Sequence, residues 1–186
     1  GDFPDGLRVA ELGAVRDADV LVDEIAQRFA VTRVAGTPLV RSMAEYIGVQ
    51  RVLLVLDNCE QIISSTAALC RDLLTACPNL RVLATSRERL GVTGEALYLV
   101  PSLSLPDVDA TVEEAYRHDA VRLFAERSQL ASSEFVVTPD NVEAVVNICR
   151  RLDGIPLALE LAAARTRSLS PAQILERLDE RVRLLT

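Results

Sequence analysis

Five apolar residues, Val52 to Leu56, run without a break and end in an acid, Asp57. All five are valine or leucine. They are far too few to cross a bilayer, which takes about 20. An unbroken apolar run of this length predicts a strand covered on both faces, as in a parallel sheet under helices. Asp57 then stands at the carboxyl end of a buried strand, where open α/β sheets bind ligands. A carboxylate in that place has two readings. It can hold Mg²⁺, directly or through water, beside a nucleotide phosphate. It can equally cap the segment that follows.

The flanking chain alternates strand and helix signals. Leu7 to Leu12 reads as a strand, and Asp17 to Phe29 as a helix with Val20, Leu21, Ile25 and Phe29 at helical spacing. Thr37-Pro38 predicts a cap and a first helical position, followed by the stripe Leu39, Val40, Met43 and Ile47 and the stop Gly48. After the Val52 strand, residues 60–77 read as a helix, irregular around Ser64-Ser65 and ended by Pro78. Arg81 to Thr85 predicts a short strand, Gly91 and Gly94 a turn, and Ala96 to Val100 a last strand. This alternation indicates a parallel sheet.

At Pro101 the texture changes. Residues 101–109, PSLSLPDVD, read as a linker, and only helix signals follow. His118 or Asp119 to Ala131 carries Val121, Phe124, Ala125 and Ser128 on one face. A second helix starts at Thr138-Pro139, with Val142, Val145, Val146, Cys149 and Leu152 inward and Gly154 as its stop. Pro156 starts a third helix, and Ser170-Pro171 a fourth with Ile174, Leu175 and Leu178. The expected division is a partial α/β domain over 1–105 and a helical subdomain over 106–186.

Composition narrows the function classes. Of 186 residues, 49% are hydrophobic and 25% charged, which predicts a packed globule, and with aromatics at 4% the core is expected to be aliphatic. The net charge of −7 argues against this segment gripping a nucleic-acid backbone. All 20 basic residues are arginine. A phosphate-binding loop of the form GxxxxGK[ST] therefore has no lysine here, and Schiff-base lysine chemistry is excluded. A receiver domain usually needs a lysine as well. Cys59, Cys70, Cys77 and Cys149 lack metal-ligand spacing, and on one helix Cys70 and Cys77 would lie roughly 10 Å apart, beyond disulfide reach. Reduced thiols and a cytoplasmic setting are expected, with no membrane partner.

Four motifs stand in a fixed order: VLLVLDNCE, RVLATSRE, LVPSLSLP and RRLDGIPLALELAAAR. Together they resemble the nucleotide-binding core of STAND-type regulatory ATPases. The branch they resemble most is the NB-ARC-like ATPase region of bacterial LuxR-type and antibiotic-regulator-type (SARP-like) transcription factors. The resemblance runs from FPDGLRVAEL to RVRLLT. It implies a P-loop NTPase-like parallel sheet followed by an all-α bundle. Asp57 becomes the Walker B acid near Mg²⁺, Glu60 the group that polarises the attacking water, and Arg87 the sensor arginine of the γ-phosphate. Thr85 helps orient that end of the site, and Pro156 lies against the adenine. Many relatives carry a second acid directly after the Walker B aspartate. Asn58 stands there instead, which argues against hydrolysis.

Each residue also has a plain reading. Arg87 can pair with Glu88, Glu95 or a helix end, and Gly154 and Pro156 can serve only as helix stop and start. His118 reads as a helix-start residue. Arg165, Arg167, Arg177, Arg181 and Arg183, interleaved with Glu176, Asp179 and Glu180, read as the wet face of bundle helices.

The Walker A strand and loop of such a family would precede Leu7, and its winged helix would follow Thr186. The sheet is thus expected to lack its central strand, between the RVLAT strand and the Ala96 strand. Three outcomes follow: closure of the sheet, relocation of the last strand, or pairing with another copy through the open edge. With a leading Gly1, compatible with a cleaved tag, the reading is an excerpt of an ATP/ADP-dependent regulator. Its partners are the parent's other domains. ATP or ADP with Mg²⁺ is expected in the parent, and none on this chain alone, which is expected to lack ATPase activity. The competing reading is a protein-interaction scaffold that has lost its phosphate loop. An unrelated enzyme built on Asp57 and Cys59 ranks last, because no base or oxyanion group accompanies them.

Overall fold

The computed structural model describes the backbone of residues 1–183 and the side chains of residues 1–179. The chain divides into two compact units, Gly1–Tyr98 and Leu99 onward. Each is described by itself.

The first unit is a mixed α/β layer. Three parallel strands, β1 (Leu7–Glu11), β2 (Leu53–Asp57) and β3 (Arg81–Ala84), lie in that order across the sheet. Leu54 sits opposite Arg8 and Val82, Leu56 opposite Ala10 and Ala84, and Asp57 opposite Glu11. Helices α1 (Ala18–Arg28) and α2 (Leu39–Ile47) connect β1 to β2, and α3 (Ile63–Ala76) connects β2 to β3. The Asp17 carboxylate starts α1 by accepting from the N–H groups of Asp19 at 2.8 Å and Val20 at 3.3 Å. Pro38 is the N-cap of α2 rather than its first helical residue.

Strands added in one direction through right-handed crossovers put all their helices on one face. Accordingly α1, α2 and α3 touch one another in a single layer. They bury Ala10, Leu54 and Leu56 together with Ile25, Phe29, Met43, Ile47 and Leu73. The alternate residues do not share this cover. Leu7, Val9 and Leu83 are 54%, 45% and 55% exposed, and Leu53 and Val55 are half-buried. The expectation that the Val52 strand is covered on both faces is therefore corrected: one face is sealed and the other open. A second helix layer requires the strand order to reverse, and the described strands contain no reversal.

The expected strand at residues 96–100 does not form. Leu97, Tyr98, Leu99 and Val100 are 69%, 85%, 91% and 79% exposed and carry no ladder. A strand needs a partner for its backbone groups. Neither expected rearrangement occurs among the described residues, because the outer edge of β3 is unpaired and the last strand is irregular. The break predicted at Ser64-Ser65 falls earlier. One 3₁₀ turn spans Cys59–Gln61, Ile62 leaves helical geometry at φ −143°, and α3 starts at Ile63.

Among its described residues the second unit is helical: α4 (Val112–Ala115), α5 (Asp119–Ala131), α6 (Val142–Arg151), α7 (Pro156–Ala163) and α8 (Pro171–Arg183). The short α4 was not anticipated, although Thr111 and Glu114 form a capping box that the T-x-x-E spacing encodes. Helix α6 begins at Val142, three residues after Pro139, because the Thr138 carbonyl accepts from both Asn141 and Val142. Val121, Phe124, Val145, Val146, Ile148, Cys149 and Leu159 form the core. The segment read as a linker is docked onto this unit. The Leu103 N–H donates to the Gly154 carbonyl at 3.0 Å, Arg150 donates to the Pro106 carbonyl at 2.9 Å, and Leu103 and Leu105 pack on the core. The wet-face reading of Glu180, Arg181 and Arg183 lies outside the described side chains.

Candidate functional site

The carboxyl ends of β2 and β3 bring four predicted residues into one hydrogen-bonded cluster. Register fixes the first two. Leu56 is opposite Ala84, and the next residue of each strand is Asp57 and Thr85. Thr85 donates from Oγ1 to Asp57 Oδ1 at 2.5 Å, and its N–H donates to the Leu56 carbonyl at 2.9 Å. The turn leaving β2 closes on the same threonine. The Asn58 N–H donates to Thr85 Oγ1 at 2.9 Å, and the Cys59 N–H to the Thr85 carbonyl at 3.0 Å. Thr85 is thus the staple between the two strand ends.

Glu60 and Arg87 complete the cluster. Arg87 donates from Nε to Glu60 Oε1 at 3.1 Å. The Glu60 side chain is only 15% exposed, whereas that of Arg87 is 79% exposed. One orientation of the Asn58 amide satisfies both neighbours, and in it the amide nitrogen donates to both Glu60 oxygens at 2.7 Å. Asn58 holds φ 63°, ψ 58°, the left-handed region that asparagine tolerates better than most residues.

Pro156 belongs to the second unit. It is exposed and occupies the first turn of α7, where its missing N–H costs no helical bond. It borders a shallow depression with Leu103, Leu123 and Arg122, whose acids Asp119, Glu126 and Glu160 make it unsuited to a phosphate. A larger groove of about 580 Å³ between α6 and α8 is also acidic, walled by Asp140, Glu143, Glu176 and Asp179.

Two residues beside the strand-end cluster, Glu11 and Gly13, carry no role in the sequence reading, and a third, Asn58, figures there only as the replacement of an acid. Glu11 ends β1 in register with Asp57, so alternation points both toward the open face of the sheet. Its signal was available, since an acid closes that strand as Asp57 closes the next. Gly13 approaches Asn58 so closely that a Cβ on it would lie 2.5 Å from the tip of the Asn58 amide. Cys59 has no part in the chemistry. Its Sγ–H donates to the Leu56 carbonyl at 3.5 Å, and burial, with the charges of Glu60 and Asp57 behind it, pushes the thiol up to about 11. A thiol held there is inert at neutral pH.

The site's fit to Mg²⁺ follows from its donors. Asp57 is exposed and engages Thr85 through Oδ1. Among the described residues no three acids, histidines or cysteines gather closely enough to cage a metal. One carboxylate suits Mg²⁺ that arrives with phosphate oxygens and keeps its waters, not a resident ion. The hydrogen bond from Arg87 to Glu60 uses Nε, and the Arg87 side chain is 79% exposed.

No family model matches the chain. A protein of Mycobacterium tuberculosis named "Putative HTH-type transcriptional regulator" is 42% identical over 184 residues, 99% of this chain and 20% of its own length. The Mycobacterium bovis protein of that name matches equally. An "Uncharacterized protein" of Mycobacterium tuberculosis is 39% identical over 184 residues, which is 44% of its length. The chain thus spans a fifth to under a half of the relatives it matches. Through the first two it is linked to transcription regulators. Among the described residues no helix is long and apolar enough to cross a membrane.

Proposed function

We propose that this chain is part of an ATP/ADP-dependent switch region of a transcriptional regulator, of the P-loop NTPase-like STAND and NB-ARC type. One observation carries the reading: Asp57, Thr85, Glu60 and Arg87, chosen from motifs up to 30 residues apart, share a single cluster at the carboxyl end of the sheet. In this reading Asp57, beside Thr85, takes Mg²⁺ delivered with the nucleotide. When bound, that ion would neutralise charge on the phosphates. Arg87 offers its planar fork to the terminal phosphate. Pro156 enters through its motif alone, as the residue against the adenine. Nucleotide acts by binding one arrangement of the larger protein better than another.

The chain holds no lysine, and no described segment forms a glycine-rich cradle. Binding to it alone is therefore expected to be weak. Titration of Mg·ATP, followed by NMR at the Thr85 methyl and the Arg87 Nε–H, should give saturable shifts in the millimolar range, lost in Arg87→Ala. Absence of any response at those two residues up to solubility would overturn the reading.

A second reading has its own observation. The open sheet face, with Leu7, Val9 and Leu83 in water, and the exposed run Leu97 to Val100 suit a protein-interaction scaffold. Pairing of copies through the β3 edge belongs to it, and light scattering that shows a strict monomer at high concentration removes that version.

A further inference from the structure

We infer that Glu60 is a positioning residue for Arg87 rather than the group that activates water, and that Asn58, seated against Gly13, holds Glu60 in that task. The inference rests on the reading above in one respect, namely that Arg87 meets an anion of the phosphate class.

The geometry runs outward from the backbone. Asn58 leaves β2 in the left-handed conformation and is pinned by its N–H to Thr85. That places its amide over Glu60, and with the amide assigned so that its nitrogen faces the carboxylate it donates to both oxygens at 2.7 Å. Arg87 adds a third bond to Oε1. With both oxygens accepting from Asn58 and Oε1 from Arg87 as well, the Glu60 carboxylate is committed to these partners rather than offered to a water molecule. It is well made for a different job. By taking its hydrogen bond from Nε it orients the plane of the exposed Arg87 guanidinium and does not use Nη1 or Nη2 for that bond, which leaves them to act as a parallel pair of donors. Such a pair fits two oxygens of one phosphate or pyrophosphate group.

Gly13 is the outer support. Its φ lies outside the left-handed region, so alanine suits the backbone there. The close neighbour of an added Cβ is the tip of Asn58, the far end of a flexible side chain. Gly13→Ala should therefore leave the fold intact and swing the Asn58 amide away from Glu60. Arg87 is 79% exposed while Glu60 is 15% exposed, so the urea midpoint of each variant is measured beside the NMR readouts to separate lost orientation from lost stability.

The test uses this chain and two NMR readouts. Without added anion, the Arg87 Nε–H should be resolved and slowed in exchange in the wild type and in Glu60→Gln, whose amide oxygen still accepts. It should merge with the free arginines in Glu60→Ala, Asn58→Ala and Gly13→Ala. With inorganic pyrophosphate, Glu60→Ala should bind roughly fivefold more weakly than Glu60→Gln, the loss of about one hydrogen bond. Comparing these two variants cancels the change in charge. Equal midpoints for them, or an Arg87 Nε–H unchanged in Glu60→Ala, would overturn the positioning role while leaving the nucleotide reading standing. No pyrophosphate response in the wild type, with the Nε–H pattern as expected, would instead sink the nucleotide reading and with it the purpose of the arrangement.

Discussion

In the first unit β2 is sealed on one side only: Leu54 and Leu56 are wholly buried while Leu53 and Val55 are half in water. In the second unit α7 repeats the pattern in another geometry. Leu159, Ala162 and Ala163 are buried, and Leu157 and Leu161 are 66% and 63% exposed. Helix α6, by contrast, has a polar face and buries Val145, Val146, Ile148 and Cys149 without remainder. The β2 run is apolar on both faces, and the α7 run is interrupted only by Glu160, which pairs with Arg127. Such a run states that an element can be buried all round. It does not state that the cover lies nearby in the same unit. The two uncovered sides differ in what adjoins them. The sheet's open face ends at Asp57 and Glu11, whereas the exposed side of α7 begins at Pro156.

The sharpest way to break this comparison is to truncate leucines on opposite sides of the same element. Leu54→Ala and Leu159→Ala should each cost about 2–5 kcal/mol in urea denaturation, by lost transfer energy and an unfilled cavity. Leu53→Ala should cost under half as much, and Leu157→Ala close to nothing, since an exposed helical leucine gains little from its side chain. A Leu157→Ala loss equal to that of Leu159→Ala would show that the outer side of α7 is covered in solution.

A smaller effect separates the two units through their glycines. Gly154 holds φ +64°, and a Cβ there would lie 2.4 Å from the Leu103 carbonyl oxygen. Gly154→Ala should cost about 2–3 kcal/mol, combining left-handed strain with loss of the bond that docks residues 101–109. Gly94 holds φ +82° with open space around it. Gly94→Ala should cost only the strain, about 1 kcal/mol. Similar melting temperatures for the two variants would mean that the Leu103 contact is not rigid.

These elements show what could be read from the residues and what could not. The parallel α/β order and the apolar faces of α5 and α6 follow from periodicity, because burial there coincides with one stripe. Asp57 and Thr85 could be placed at neighbouring strand ends, since register follows once the strands are set. The failure at residues 96–100 has a physical cause: strand propensity is realised only against a partner. The docking of residues 101–109 was hidden for a related reason. Pro101 and Pro106 mark irregular backbone, but nothing local announces that Leu103 and Leu105 lie on the bundle. Asn58 and Gly13 escaped notice because their roles depend on a left-handed residue meeting a distant loop.

The thiols give the comparison a pH dependence. Burial pushes Cys70 and Cys149 up to about 12 and Cys59 to about 11, and raises Cys77 as well, from an ordinary 9.0. A group whose folded value lies above its unfolded one favours the native state below the unfolded value. It loses that contribution as pH rises toward the folded value. The window is therefore about pH 9 to 12. By pH 10 each strongly shifted thiol should have lost about 1 kcal/mol, since one pKa unit corresponds to 1.36 kcal/mol. Three of the four thiols lie in the first unit, where Cys59 and Cys70 both face the sheet's sealed side. Replacing them together (Cys59→Ala with Cys70→Ala) should flatten the fall in urea midpoint between pH 8 and pH 10 more than Cys149→Ala does. An unchanged slope in the double variant would show that water reaches these thiols, and that the layer beneath β2 is no better sealed than the face above it.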